Sequence, residues 1–207
     1  MERRGVAALR AATHAGALVP LIVLVVQFAT DGLGANPIEA IQIHTGKTAL
    51  NILLVSLACT PAYLLSGFAP LLSLRKPLGL YAFLYVGLHF ANLVAVDYGF
   101  NLTLISRDAL FVKRFMLAGV GAFVLLLPLA ITSIDGLSGR LRGGWQYLRM
   151  LTYPAAVLAV VHFIWQAKID LRLPLVYAGI LAALLAFRVP PVSGFFRRRL
   201  EWRGRVS

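Results

Sequence analysis

Residues Leu78–Asp97 read LGLYAFLYVGLHFANLVAVD, a stretch of membrane-spanning length with no charge between Lys76 and Asp97 and one imidazole, His89. A run of about 20 apolar residues is what a helix needs to cross the hydrocarbon of a bilayer. An ionisable side chain at that depth is costly, so it marks a functional position facing the bundle interior. Leu151–Gln166, LTYPAAVLAVVHFIWQ, repeats this character and carries His162. Two imidazoles on two spans can supply both axial ligands of one haem iron. A lone membrane histidine more often hydrogen-bonds a neighbouring helix, so the pairing carries the argument.

Working outward, the whole chain has this character. Of its 207 residues 59% are hydrophobic and 14% charged, and the mean hydropathy is +0.80. These values lie outside the soluble range and predict a single all-α integral membrane domain. Six spans are expected, at about Ala11–Thr30, Ala49–Leu65, Leu78–Asp97, Phe115–Ile134, Tyr147–Gln166 and Pro174–Arg188. A turn-rich link, DGLGANPIEAIQIHTGKT (31–48), joins the first two, and a loop holding Arg75 and Lys76 precedes the third. Asp97–Arg114 is too polar to span and is expected along the interface. Arg188 is expected to snorkel from the end of the sixth span. No internal repeat is evident.

The net charge of +12 does not point to nucleic acid, because basic residues concentrate between spans and at the two ends, as membrane topology requires. With the N-terminus inside, Arg3, Arg4, Arg10, Arg75, Lys76, Arg140, Arg142, Arg149 and Arg188 fall on the cytoplasmic side. Lys47, Arg107, Lys113, Arg114, Lys168 and Arg172 fall outside. Both termini are thus expected in the cytoplasm, as a basic N-terminus (1–10) and a basic tail (189–207) flanking the spanning domain (11–188). The tail sequence FFRRRLEWRGR suits anionic lipid headgroups. Cys59 is the only cysteine, which excludes an intrachain disulfide and a cysteine-held iron–sulfur cluster.

In this topology the third and fifth spans run parallel. His89 lies eight positions before Asp97 and His162 six before Lys168, so both sit about 9–12 Å inside the outer ends. Ala82 and Tyr85 share the helical face of His89, and Ala159 shares that of His162. Arg114 and Lys168, with Lys47 and Lys113, are candidates to pair with haem propionates. His14, near the inner end of the first span, reads as a headgroup hydrogen-bonder or a quinone-pocket residue. His44 reads as a surface residue of the link.

The segments GLGANPIEAIQIHTGKTALNILL, TPAYLL, RKPLGLYAFLYVGLHF, LLLPLAITS, WQYLRMLTY and VHFIWQAKIDLRLPLVYAGILAALLAFR occur in the order of the MsrQ (YedZ) family. That resemblance extends to about Arg188 and implies a ferric-reductase-like six-helix bundle in a bacterial inner membrane. It also implies haem b, with FMN as a second cofactor, and electrons passed from quinol or a reduced flavin to a periplasmic molybdopterin partner, MsrP, that reduces methionine sulfoxide. His89 and His162 match the family's haem-ligand positions. The family's WxxLHxxxY motif has Arg149 in place of its histidine here. An arginine is a poor iron ligand, so a second haem is not expected unless a residue such as His14 substitutes. Arg149 suits an anionic propionate or flavin phosphate instead. Two rival readings share much of this pattern: another haem-containing reductase of ferric iron or dioxygen, and a haem-free scaffold or transporter.

Overall fold

The computed structural model describes residues 2–133, 144–167, 169–196 and 198. Helix α1 (Glu2–Ala29) is followed by α2 (Pro37–Ser66), a 3₁₀ segment (Ala69–Leu74) and α3 (Arg75–Ala91). After α3, π-helical turns at Asn92–Asp97 lead to α4 (Leu102–Arg107), a further π turn (Asp108–Val112) and α5 (Phe115–Thr132). Then come α6 (Gly144–Met150), α7 (Thr152–Gln166), α8 (Arg172–Ala186) and a final turn, α9 (190–196). No strand occurs among the described residues.

Among the described residues five helices are long and apolar enough to cross a membrane, at Gly5–Ala29, Pro37–Ser66, Ala69–Asp97, Phe115–Thr132 and Tyr147–Gln166. A sixth crossing forms if α8 and α9, bent by 68° at Val189, count as one span. Much of the exposed helix surface is apolar: Ile22, Val25 and Phe28 on α1 and Val124 on α5 are more than half exposed. Such a surface is stable only in hydrocarbon.

The second span begins twelve residues earlier than its hydropathy indicates. Asn36 caps α2, its side-chain oxygen accepting from the Glu39 amide, and Pro37 takes the first turn, where its missing N–H costs nothing. The polar residues that made 37–48 read as a link are satisfied within the bundle. Thr45 is 1% exposed and its hydroxyl donates to the Ile41 carbonyl. The ring of His44 is hydrogen-bonded to the Pro20 carbonyl of α1 at 2.9 Å, so it is an interhelical residue and not a surface one. Arg75 and Lys76 likewise start α3 rather than sit in a loop. Residues 134–143 and the tail beyond Arg198 lie outside the described residues.

The main core runs through the middle of the bundle, from Leu50, Leu53 and Leu57 on α2 through Ala82 and Tyr85 on α3 to Ala155, Ala156 and Val160 on α7. Two helix pairs, α2 with α3 and α5 with α7, are packed over far greater lengths than any others. At the end of the bundle where α3 leads into α4, a smaller cluster of Tyr98, Ala109 and Met116, with Phe115 against it, anchors the start of α5.

That cluster is tied by a polar chain. Lys113 donates to the Tyr98 oxygen at 2.9 Å, and the Tyr98 hydroxyl donates to Asp108 at 2.7 Å. The Tyr98 hydrogen bond, and then the Lys113 charge, hold the Asp108 carboxyl below its ordinary range. A depressed folded value means that this link contributes stability above the ordinary carboxylate pKa and loses it as pH falls through the depressed one. The protection factors of amides 98–116, referred to the intrinsic exchange rate at each pH, should therefore fall on acidification below about pH 4 in the native protein. In Asp108→Asn they should be lower at neutral pH and lack the acid-dependent fall.

Candidate functional site

His89 on α3 and His162 on α7 face each other, with ring centroids 6.1 Å apart and planes at 88°. The local construction around each is the same. His89 Nδ1 lies 3.0 Å from the Gln42 carbonyl of α2, and His162 Nδ1 lies 2.7 Å from the Phe115 carbonyl that opens α5. A carbonyl can only accept, so each Nδ1 carries the proton and each Nε2 keeps its lone pair. This is the arrangement by which an outer hydrogen bond fixes tautomer and ring orientation of a metal-ligating histidine.

Close approach to a helix carbonyl requires a gap in the helix surface, and both sites provide it with glycine. One helical turn after Gln42 stands Gly46, where an added Cβ would lie 2.9 Å from the His89 ring. One turn after Phe115 stands Gly119, where it would lie 2.8 Å from the His162 ring. In both halves histidine and carbonyl are 47 residues apart. The helix pair α2–α3 thus recurs as α5–α7, an internal repeat that the sequence does not announce. Each pair contributes one imidazole.

Two imidazoles bound on opposite sides of one metal, at about 2 Å per bond, have ring centres about 6 Å apart. The separation of the pair, together with the free Nε2 lone pairs, fits a shared iron. Gln42 is also near by its side chain: its Nε2 sits 3.1 Å from His89 Nε2, while its Oε1 accepts from Asn92 at 2.7 Å. The amide thus caps the His89 lone pair, and a metal held by His89 Nε2 would have to displace it.

The other expected site residues are distributed as follows. Ala82 and Tyr85 are fully buried in the core, and the Tyr85 hydroxyl donates to the Ala17 carbonyl of α1 at 2.7 Å. Ala159 is half-buried against the same core. Arg114 is exposed at the turn before α5, adjoining Phe115. Lys113 is engaged with Tyr98 and Asp108. Lys168 lies outside the described residues. The His14 ring meets Tyr81 at 3.0 Å and neither of the paired histidines.

Arg149, itself exposed, lines a separate space at the other end of the bundle, with Arg75 and Arg188. Arg188 does not snorkel. It turns inward, donating to the Tyr153 hydroxyl at 2.6 Å and the Leu57 carbonyl at 3.0 Å, with its guanidinium over the Tyr153 ring. Among the described residues no imidazole, thiol or thioether lines this space, so those residues do not fit a second haem iron. Between the two levels lies packed aromatic structure: Phe83 at the inner space stacks on Phe123, which stacks on Phe90 beside His89.

Gln42, Gly46, Phe115 and Gly119 were not foreseen. Their only trace in the sequence is a glycine and a histidine that recur together at one offset.

The architecture is a helical membrane bundle holding two opposed imidazoles, and residues 45–160 match the family described as ferric reductase like transmembrane component. The chain is 44% identical over 191 residues to the "Protein-methionine-sulfoxide reductase heme-binding subunit MsrQ" of Xanthomonas axonopodis pv. citri (strain 306), which covers 89% of this chain and 87% of that protein. It is 44% identical over 196 residues to the protein of the same name from Rhodospirillum rubrum, covering 94% and 92%. The chain belongs to the MsrQ family of ferric-reductase-like membrane subunits.

A methyl group at either glycine must push an imidazole off its carbonyl. Gly46→Ala and Gly119→Ala should each weaken haem retention on the order of 10–100-fold, as loss of an outer-shell partner does. Gly179→Ala, on exposed α8 with nothing near its Cβ, should retain haem like the parent. Haem released to apomyoglobin over time measures all three.

Proposed function

We propose that the protein is the membrane electron-transfer subunit of a methionine sulfoxide reductase system, carrying one haem b between His89 and His162. The observation that carries this reading is the pair of opposed rings 6.1 Å apart, each oriented through Nδ1 by a helix carbonyl. When bound, such a haem supplies a one-electron ferric/ferrous couple whose potential depends on axial ligation and burial.

The protein's own residues account for the rest. With His89 and His162 both as its ligands, a bound haem iron would have no position left for a substrate, which would favour outer-sphere transfer. The carbonyls of Gln42 and Phe115 would raise ligand basicity and keep both rings in one orientation. The apolar core around Ala82, Tyr85, Ala155 and Ala156 excludes water. The charge distribution supports cytoplasmic termini and an inner-membrane location, which sets the histidine pair in the periplasmic half. A periplasmic molybdopterin reductase is then the acceptor, and quinol or a reduced flavin the donor. The aromatic stack from Phe83 to Phe90 bridges the two levels with packed atoms. The names of the relatives support the pairing with a methionine sulfoxide reductase.

Purified from haem-replete cells, the protein should show a Soret band that shifts on dithionite reduction, with about one haem per chain by pyridine haemochrome assay. His89→Ala and His162→Ala should each abolish the low-spin spectrum, and His44→Ala should spare it. A low-spin spectrum surviving in either of the first two variants removes that residue from the ligand set. Absence of any haem absorbance in the parent ends the reading.

A further inference from the structure

The two halves of the histidine site match at Nδ1 and differ at Nε2, the nitrogen left for a metal. On the α3 side the Gln42 carbonyl holds His89 Nδ1 at 3.0 Å, and the side-chain amide of the same residue lies 3.1 Å from His89 Nε2. Because Nδ1 carries the proton, Nε2 accepts and the amide donates. Asn92 fixes which way that amide points. It is 6% exposed and donates to Gln42 Oε1 at 2.7 Å and to the Ile38 carbonyl at 3.1 Å, so the Gln42 nitrogen is turned to the imidazole. A single residue thus grips His89 at both ring nitrogens.

The other half lacks this grip. Phe115 stands where Gln42 does, and its ring meets that of His162 at 5.6 Å between centroids with no donor to offer. Three residues after His89 comes buried Asn92, but three after His162 comes Trp165, which is 59% exposed. Among the described residues nothing hydrogen-bonds His162 Nε2. A hydrogen bond and a metal cannot use the same lone pair. The capped state of His89 therefore competes with the ligated one, and a metal binds this nitrogen as if only the uncapped fraction were present. His162 has no competing state.

We propose that Gln42 makes the two axial positions unequal: His162 is the permanent ligand and His89 the exchangeable one, its Nε2 shared in turn between haem iron and the Gln42 amide. This assignment rests on the haem reading of the pair. The exchange breaks one iron–nitrogen bond, forms one N–H···N hydrogen bond and moves neither proton nor electron. Gln42 is a positioning residue whose side chain acts on haem retention in the direction opposite to Gly46. Gly46 lets the ring reach its carbonyl, whereas the Gln42 amide draws the lone pair away from the metal.

Haem release to apomyoglobin from the full-length protein in detergent tests this. Gln42→Met keeps the side-chain length and the backbone carbonyl but has no donor. It should release haem about three- to tenfold more slowly than the parent, the factor that one neutral hydrogen bond carries. Gln42→Asn, with its amide on a stem one methylene shorter, should also slow release, and it carries the same test if Gln42→Met does not fold. Gln166→Met, exposed at the end of α7, should match the parent. A residue that only supported the fold would give faster release when replaced.

The single-ligand variants give a second readout, the high-spin haem each retains through purification. His89→Ala, left with the uncapped His162, should retain more than His162→Ala. Adding Gln42→Met should raise retention in His162→Ala and leave that of His89→Ala unchanged. Release from Gln42→Met no slower than from the parent overturns the proposal, and so does a His162→Ala protein that Gln42→Met does not improve. A parent without haem sinks the haem reading and this assignment together. A haem-loaded parent with either contrary result sinks this assignment alone.

Discussion

Each imidazole is held by a hydrogen bond to a main-chain carbonyl of the helix beside it, and the rest of the site depends on those two bonds. A helix carbonyl already accepts from the amide one turn on, so it serves the imidazole with its second lone pair. The approach succeeds only because Gly46 and Gly119 leave the helix surface open there. From this follow the tautomer, the direction of Nε2, the separation of the rings and the tight packing of α2 on α3 and α5 on α7. The outer cluster of Tyr98, Asp108, Lys113 and Met116 matters because it fixes where α5 begins, and so where the Phe115 carbonyl stands.

The bilayer imposes the other constraint: polar atoms in the bundle must find partners within it. The outer turns of α2 show how this is met. Gln42, Asn92 and His89 form one connected set, and His44 reaches across to α1. At the opposite end, Arg75 of α3 and Arg188 just after α8 meet hydroxyls and carbonyls of α2 and α7. The bundle thus carries two polar levels separated by an apolar and aromatic layer. The level of the histidine pair is built of neutral imidazoles and amides, the other of permanent cations.

Much of this was legible in the sequence. The spans at 115–134 and 147–166 and the equal depth of His89 and His162 follow from apolar length and position alone. The start of α2 did not, because hydropathy averages over residues whose polarity is satisfied by helices distant in sequence. Yet Asn36, Pro37 and Glu39 form a recognisable helix entry, and that local signal was outweighed by the neighbouring glycines. Arg188 was misjudged for a related reason. Its partners at Leu57 and Thr60 lie about 130 residues away, and only the tertiary fold brings them to it. The repeat escaped notice because it is written in a glycine and a histidine per half, with the helix geometry supplying everything else.

The acceptors that aim both imidazoles are atoms every residue possesses. Positions 42 and 115 therefore supply them whatever side chain they carry, while the positions one turn later have no such freedom. Alignments scored on side-chain identity would overlook the acceptors and register only the gaps that expose them. In this protein the informative silence is a missing methyl group.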